Sequence, residues 1–74
     1  MMPGAAPQMW GVGHGPLPAE ERKRRQQAAE AAGATFIYCR MPEGVRWWTE
    51  GSWLPDVARR QRAEYERILN GEPA

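Results

Sequence analysis

The sequence contains too few cysteine and histidine residues for the cross-links that stabilise many small proteins. Its 74 residues include one Cys and one His, so the chain cannot form an internal disulfide, and Cys39 with His14 cannot supply the four ligands of a structural zinc site. We therefore expect no metal and no cofactor. Because disulfides are rare in reducing compartments, their absence favours a cytoplasmic protein.

Large apolar side chains are also scarce, and they form no long run. The chain has one Phe, two Tyr and four Trp, and no segment approaches the roughly 20 apolar residues of a membrane-spanning helix. No basic residue precedes an apolar stretch at the N-terminus, so we expect no secretory signal. A chain of this length forms one small domain with a modest core. We therefore expect stabilisation by a partner or by self-association.

An excess of charge of one sign is missing as well. The net charge is +1, which argues against a strong non-specific binder of nucleic acid, because such proteins are usually highly basic. The positive charge comes from nine Arg and one Lys. Arg is well suited to interfaces because of its forked hydrogen bonding and its stacking on rings. A GC-rich genome would explain the same preference.

Residues 1–18 contain four Pro, four Gly and no charged residue. Repeated Gly and Pro oppose regular structure. The composition therefore predicts a flexible N-terminal arm over 1–18. Its largest side chain, Trp10, is expected either to fold back on the domain or to dock on a partner.

Residues 19–71 have the pattern helix–strand–strand–helix, which predicts a small single α+β domain of αββα order. The first helix is expected over 19–32, between Pro18 and Gly33. It can either cover one face of the hairpin or lie beside the second helix. Its small apolar face comprises Ala28, Ala31 and Ala32.

The second helix is expected to begin at Pro55 and to end at Asn70 and Gly71. Residues 72–74 would then form a short C-terminal tail. Helical spacing predicts that one side of this helix packs on the hairpin. That side comprises Leu54, Val57, Ala58, Gln61, Tyr65, Ile68 and Leu69.

The residues between the helices predict a β-hairpin with a three-residue loop. Pro42 fits a type I turn, and Gly44 fits the left-handed residue that follows it. This register pairs Met41 with Val45, and side chains then alternate between two faces. The face expected to be core comprises Ile37, Cys39, Met41, Val45 and Trp47. The other face comprises Phe36, Tyr38, Arg40, Arg46 and Trp48.

The second hairpin face is the candidate binding site. It sets Arg40 directly opposite Arg46, which is unfavourable without a compensating partner. Trp, Tyr and Arg are frequent in protein hot spots, but rings with Arg also bind single-stranded nucleic acid. Coverage by the first helix is a third interpretation. The predicted partner-binding residues are Tyr38, Arg40, Arg46 and Trp48, with Trp10 added from the arm.

A basic run lies in the first helix. Its four residues point about 100° apart in succession, so they cannot form one flat patch. A solvated helix surface is one interpretation, and contact with phosphates is the other. The candidate nucleic-acid contacts are Arg22, Lys23, Arg24 and Arg25.

No combination of residues predicts catalysis. The glycine-rich segment 11–15 lacks the strand–loop–helix context of a phosphate loop, and Cys39 is expected to be a small buried group. We therefore expect a non-catalytic binding protein, a regulator that docks on a larger protein or macromolecular machine. Phage-type modulators of host transcription machinery are one such class. The alternatives are a single-stranded RNA- or DNA-binding protein that uses the same face and the basic run, and a structural subunit of an assembly.

Overall fold

Two helices cover one side of a three-stranded antiparallel sheet. The computed structural model describes residues 8–71, and the sheet has the strand order β1-β3-β2. The α+β class and the helix–hairpin–helix order from residue 19 onward are confirmed, and a further strand precedes them. The elements are β1 (Gln8–His14), α1 (Ala19–Ala31), β2 (Thr35–Met41), β3 (Gly44–Gly51) and α2 (Pro55–Leu69).

Helix α1 approaches its neighbours closely because its buried side chains are alanines. Ala28 and Ala29 are completely buried, so the backbone itself forms part of the core. Glu20 and Glu21 lie in the first turn, where carboxylates complement the helix dipole. Gly33 follows the helix with a φ of 75°, the left-handed conformation that favours glycine. The expected stripe is partly wrong, since Ala29 is buried and Ala31 is exposed.

Helix α2 packs with the predicted side inward, apart from its first member. Ala58 and Tyr65 are buried, whereas Leu54 is 47% exposed because it precedes the helix. Gln61 has a polar role, since its Oε1 accepts a hydrogen bond from the backbone N–H of Ser52 at 2.7 Å. Its Nε2 donates to the carbonyl of Gly33 at 2.8 Å. Gln61 thus connects α2 to the ends of both β3 and α1.

Strand β1 corrects the prediction of a flexible arm. Residues 8–14 pair antiparallel with β3, while residues 1–7 lie outside the described part of the chain. The pairing shifts between Trp10 and Gly13, and Gly11 has a φ of 69°. This is the geometry of a β-bulge, in which glycine takes a conformation that other residues avoid. The glycines that predict irregular structure on composition alone are therefore required for strand β1.

Two Trp–Gly pairs join β1 to β3. The Trp10 ring of β1 lies over Gly51 of β3, and the Trp47 ring of β3 lies over Gly13 of β1. A Cβ on either glycine would collide with the facing ring. Trp10 is 5% exposed and contacts Tyr65 of α2 edge-to-face, with ring centroids 5.1 Å apart. Trp10 therefore folds back on the domain and belongs to the core, where its ring is not accessible to a partner.

The hairpin register differs from the predicted one by a single residue. Pro42 and Glu43 form a two-residue loop, and Met41 pairs with Gly44, not with Val45. Neither loop residue has a positive φ, and Gly44 takes a φ of 138°. The residue with the positive φ is thus Gly44, which is the first residue of β3 and lies outside the loop. Because side chains alternate along a strand, a shift of one residue changes which β3 side chains lie on the same face as each β2 side chain.

The sheet therefore has a covered face and an open face, and the expected core is only half correct. Val45 and Trp47 lie on the covered face as predicted, but Ile37, Cys39 and Met41 lie on the other. The covered face, beneath the helices, comprises Trp10, Phe36, Tyr38, Arg40, Val45, Trp47 and Thr49. The open face comprises Met9, Val12, His14, Thr35, Ile37, Cys39, Met41, Arg46, Trp48 and Glu50.

Candidate functional site

The structure separates the residues of the predicted binding site. Tyr38 and Arg40 belong to the covered face, whereas Arg46 and Trp48 belong to the open face. Arg40 pairs with Val45, and Arg46 pairs with Cys39. The expected repulsion between the two arginines therefore does not exist. The single aromatic–arginine face is wrong because it depended on the three-residue loop.

Tyr38 has a structural role on the covered face. Its hydroxyl accepts a hydrogen bond from the backbone N–H of Leu17 at 3.0 Å, which attaches the segment before α1 to β2. The guanidinium of Arg22 lies 4.9 Å from the centre of the Tyr38 ring, within the range of a cation–π contact. The ring is therefore occupied on one side by its own chain.

The basic run is divided between the interior and the surface. Residues three apart on a helix point in similar directions, and Arg22 and Arg25 both point toward the sheet. The Arg25 guanidinium lies 4.5 Å from the centre of the Trp47 ring, and its Nη1 donates to the Tyr65 hydroxyl at 3.2 Å. Lys23 and Arg24 are exposed. A fully solvated surface is therefore wrong for two of the four residues.

Glu21 holds Arg25 in this position. Its carboxylate accepts hydrogen bonds from Arg24 at 2.7 Å and from Arg25 at 2.8 Å. Burial alone would raise the pKa of Glu21, but the hydrogen bonds and charges of Arg24 and Arg25 outweigh it, so its pKa is lowered. Glu21 is thus ionised at neutral pH and connects the surface of α1 to the arginine over Trp47.

Trp48 lies at the centre of the open face. It is half-buried and occupies the middle strand, with Ile37 opposite on β2 and the bulge of β1 on its other side. Its indole Nε1–H donates to Oε2 of Glu50 at 2.8 Å. That bond fixes one end of a large, partly exposed ring. A pre-oriented, partly exposed Trp is a common hot-spot residue of protein interfaces.

Apolar side chains surround Trp48. Met9 and Val12 of β1 are each 50% exposed. Gly11 and Gly13 are directed to the helix side, which leaves Val12 on the open side. Three of the four open-face residues of β2 are partly exposed and mostly apolar, namely Ile37, Cys39 and Met41. The open face thus carries a cluster of partly exposed apolar side chains, and such clusters can mark an interaction site.

One end of the open face is polar. Cys39, Arg46 and His14 are neighbours in a row across the three strands. The Nε of Arg46 is buried and has no hydrogen-bond partner among residues 8–71. Beside Arg46, a shallow hollow of about 410 Å³ opens between the hairpin loop and the end of β1, lined partly by Glu43 and His14. Arg46 is therefore a cationic residue at one edge of the apolar part of the open face.

Sequence reasoning missed three exposed apolar residues. Met9 and Val12 were assigned to the arm, although an alternation of large residues with glycine in Trp10–Gly13 could have indicated a strand. Trp53 is 49% exposed and falls outside both the hairpin and the helical pattern. Its absence from both patterns is the feature of the sequence that could have identified Trp53 as an exposed residue.

The chain matches no protein-family model, no curated protein and no solved structure. In the described range 8–71, no three His, Cys, Asp or Glu side chains lie together as metal ligands would. None of the helices in that range has the length and apolar character needed to cross a membrane.

Proposed function

We propose that this protein is a small non-catalytic binding module that docks on a larger protein through its open face. The observation that supports this is Trp48, an oriented and partly exposed ring at the centre of an apolar sheet surface. Both helices described in residues 8–71 lie on the opposite side of the sheet. The side of the sheet that the helices leave uncovered thus carries Met9 and Val12, which are each 50% exposed, together with the partly exposed ring of Trp48.

Burial of the exposed part of Trp48 against a partner would contribute favourable binding free energy. Complete burial of a large apolar side chain contributes roughly 25 cal/mol per Å² of area removed from water. The hydrogen bond from Trp48 to Glu50 already restricts the indole side chain in the free protein, so binding costs less side-chain entropy. The polar row around Arg46 would then form the rim, where an acidic group of the partner determines orientation more than affinity.

The side chains of the open face favour a protein partner over single-stranded nucleic acid. Successive bases bind by stacking on successive rings, but Trp48 is the only aromatic residue among the open-face residues. Its neighbours are aliphatic side chains or thioethers, which suit protein surfaces. In addition, Arg22 and Arg25 are engaged with the rings of Tyr38 and Trp47, so the basic run offers fewer phosphate contacts than its composition implies.

The experiment compares two partly exposed tryptophans. Trp48→Ala and Trp53→Ala each remove a partly exposed ring, but only the first is on the open face. Immobilised wild-type protein and both variants are incubated with lysate of the source organism. We expect wild type and Trp53→Ala to capture a specific protein that Trp48→Ala does not capture. The loss of binding free energy for Trp48→Ala should be about 2 kcal/mol or more.

Folding is verified first, by comparing the near-ultraviolet circular dichroism of the variants. Arg46→Ser provides a second variant on the same face that removes no apolar core. Equal capture by all four proteins would contradict the proposal. Binding of a labelled single strand that weakens steeply with salt would instead assign the face to nucleic acid.

A further inference from the structure

The two edges of the sheet are not equivalent. On the β1 edge, the bulge at Gly11 and Val12 interrupts the register, and bulges are a common means of preventing a sheet edge from pairing with another chain. On the β2 edge, all seven residues from Thr35 to Met41 pair with β3 in unbroken register. One edge is therefore irregular, and the other is straight.

The β2 edge lacks the features that natural proteins use to protect a strand. Its sequence TFIYCRM contains no Pro, no Gly and one charged residue, Arg40. In an antiparallel ladder the backbone groups of alternate residues point away from the partner strand. No backbone–backbone hydrogen bond outside the strand ladder involves residues 35–41 within the described chain. Such a segment is rich in β-forming residues and nearly neutral, and it pairs readily with another strand.

We propose that a second copy of this chain occupies the β2 edge, forming a two-fold symmetric dimer with a continuous six-stranded sheet. In the register that pairs the whole strand, Tyr38 lies on the two-fold axis. Each copy then contributes the same strand, in the isologous manner of most homodimers.

The strand is complementary to itself in this antiparallel register. Thr35 faces Met41 of the other copy and Ile37 faces Cys39, so the open-face pairs contain no charge. On the covered face, Phe36 faces Arg40, which places a guanidinium beside a ring and keeps the two Arg40 side chains apart. Cross-strand pairs of these types are favourable or neutral. The one charge of the strand therefore finds an acceptable partner in a second copy.

A dimer also brings the open face to the size of a stable interface. Three strands of seven residues, at about 4.8 Å between strands and 3.4 Å per residue, have a footprint of roughly 340 Å². Two such faces side by side have roughly 700 Å², close to the ~800 Å² that each partner contributes to a standard interface. This step rests on the proposed function, whereas the dimer itself does not.

The test is made on the protein alone, so its outcome is independent of any docking partner. Sedimentation equilibrium over a wide range of concentration should give a mass that rises from the 8.4 kDa of one chain to twice that value. Amide hydrogen exchange should show alternate β2 amides becoming protected as the dimer forms. A constant mass of one chain would overturn the proposal and leave the edge to a strand of a different protein.

Cross-linking distinguishes the β2 edge from other dimer interfaces. In Ile37→Cys, the new thiol faces Cys39 of the second copy, so oxidised glutathione should yield a disulfide-linked dimer in several-fold excess over wild type. Met9→Cys is the matched control, because it lies on the open face at the opposite edge of the sheet. Efficient cross-linking of Met9→Cys without protection of the β2 amides would indicate sheets packed face to face, and the β2-edge proposal would be wrong.

Discussion

Trp10→Ala tests whether β1 is part of the folded domain. Trp10 is 5% exposed, lies over Gly51 and meets Tyr65 edge-to-face at 5.1 Å. Truncation of a buried Trp to Ala costs about 3–5 kcal/mol. A chain of 74 residues has a free energy of unfolding of roughly 4–11 kcal/mol, so this one side chain accounts for a large share. We expect partial or complete unfolding of the variant in water.

Urea unfolding followed by tryptophan fluorescence and far-ultraviolet circular dichroism measures the effect. For a slope of about 1 kcal/mol per molar urea, the midpoint should fall by roughly 3–5 M or the folded baseline should disappear. Met9→Ala is the control, because Met9 adjoins Trp10 but is 50% exposed on the open face. Its cost should be within about 1 kcal/mol.

Equal urea midpoints for the two variants would show that Trp10 contributes no burial and that β1 is not docked. Deletion of residues 1–16 then provides a second measurement of the same point. It removes β1 entirely and exposes the inner edge of β3, so the truncated chain should lose its near-ultraviolet signal. A truncated protein as stable as the full chain would restore the flexible arm.

Three further results are expected. Gly13→Ala should destabilise by about 1–3 kcal/mol in urea unfolding, because a Cβ at Gly13 collides with the Trp47 ring. The lowered pKa of Glu21 means that the unfolded state binds its proton first as pH falls, so stability should decline in acid and Glu21→Gln should flatten that decline. Replacement of Arg40 and Arg46 by Ser, singly and together, should give additive stability changes because the two residues do not face each other.

The helices and the hairpin were predictable because their signals are local. Pro55 and Gly71 limit α2 on either side, and the helical spacing of Ala58 and Tyr65 identified its buried side before any tertiary contact was known. Proline at the first turn and glycine after the last are conformational preferences of the backbone itself. They act within a few residues, so a single sequence contains them in full.

Strand β1 was not predictable in this way, because its reason for being a strand lies elsewhere in the chain. Gly13 lowers the strand propensity of its own segment, yet it provides the space that Trp47 needs. Gly13, which provides this space, and Trp47, which fills it, are more than thirty positions apart in the sequence. A composition rule judges each segment alone and therefore counts such glycines against regular structure.

The candidate site depended on a finer detail than the fold did. A loop of Pro42 and Glu43 alone and a loop that also includes Gly44 differ by one residue. Either loop leaves the limits of the helices and strands almost unchanged. The same residue decides whether Trp48 shares a face with Tyr38 or with Ile37. It thus converts a mixed aromatic–arginine surface into an apolar one centred on a single Trp. For a half-covered sheet, the identity of the binding surface is consequently less robust to small errors than the architecture, and turn geometry has to be established before a partner is inferred.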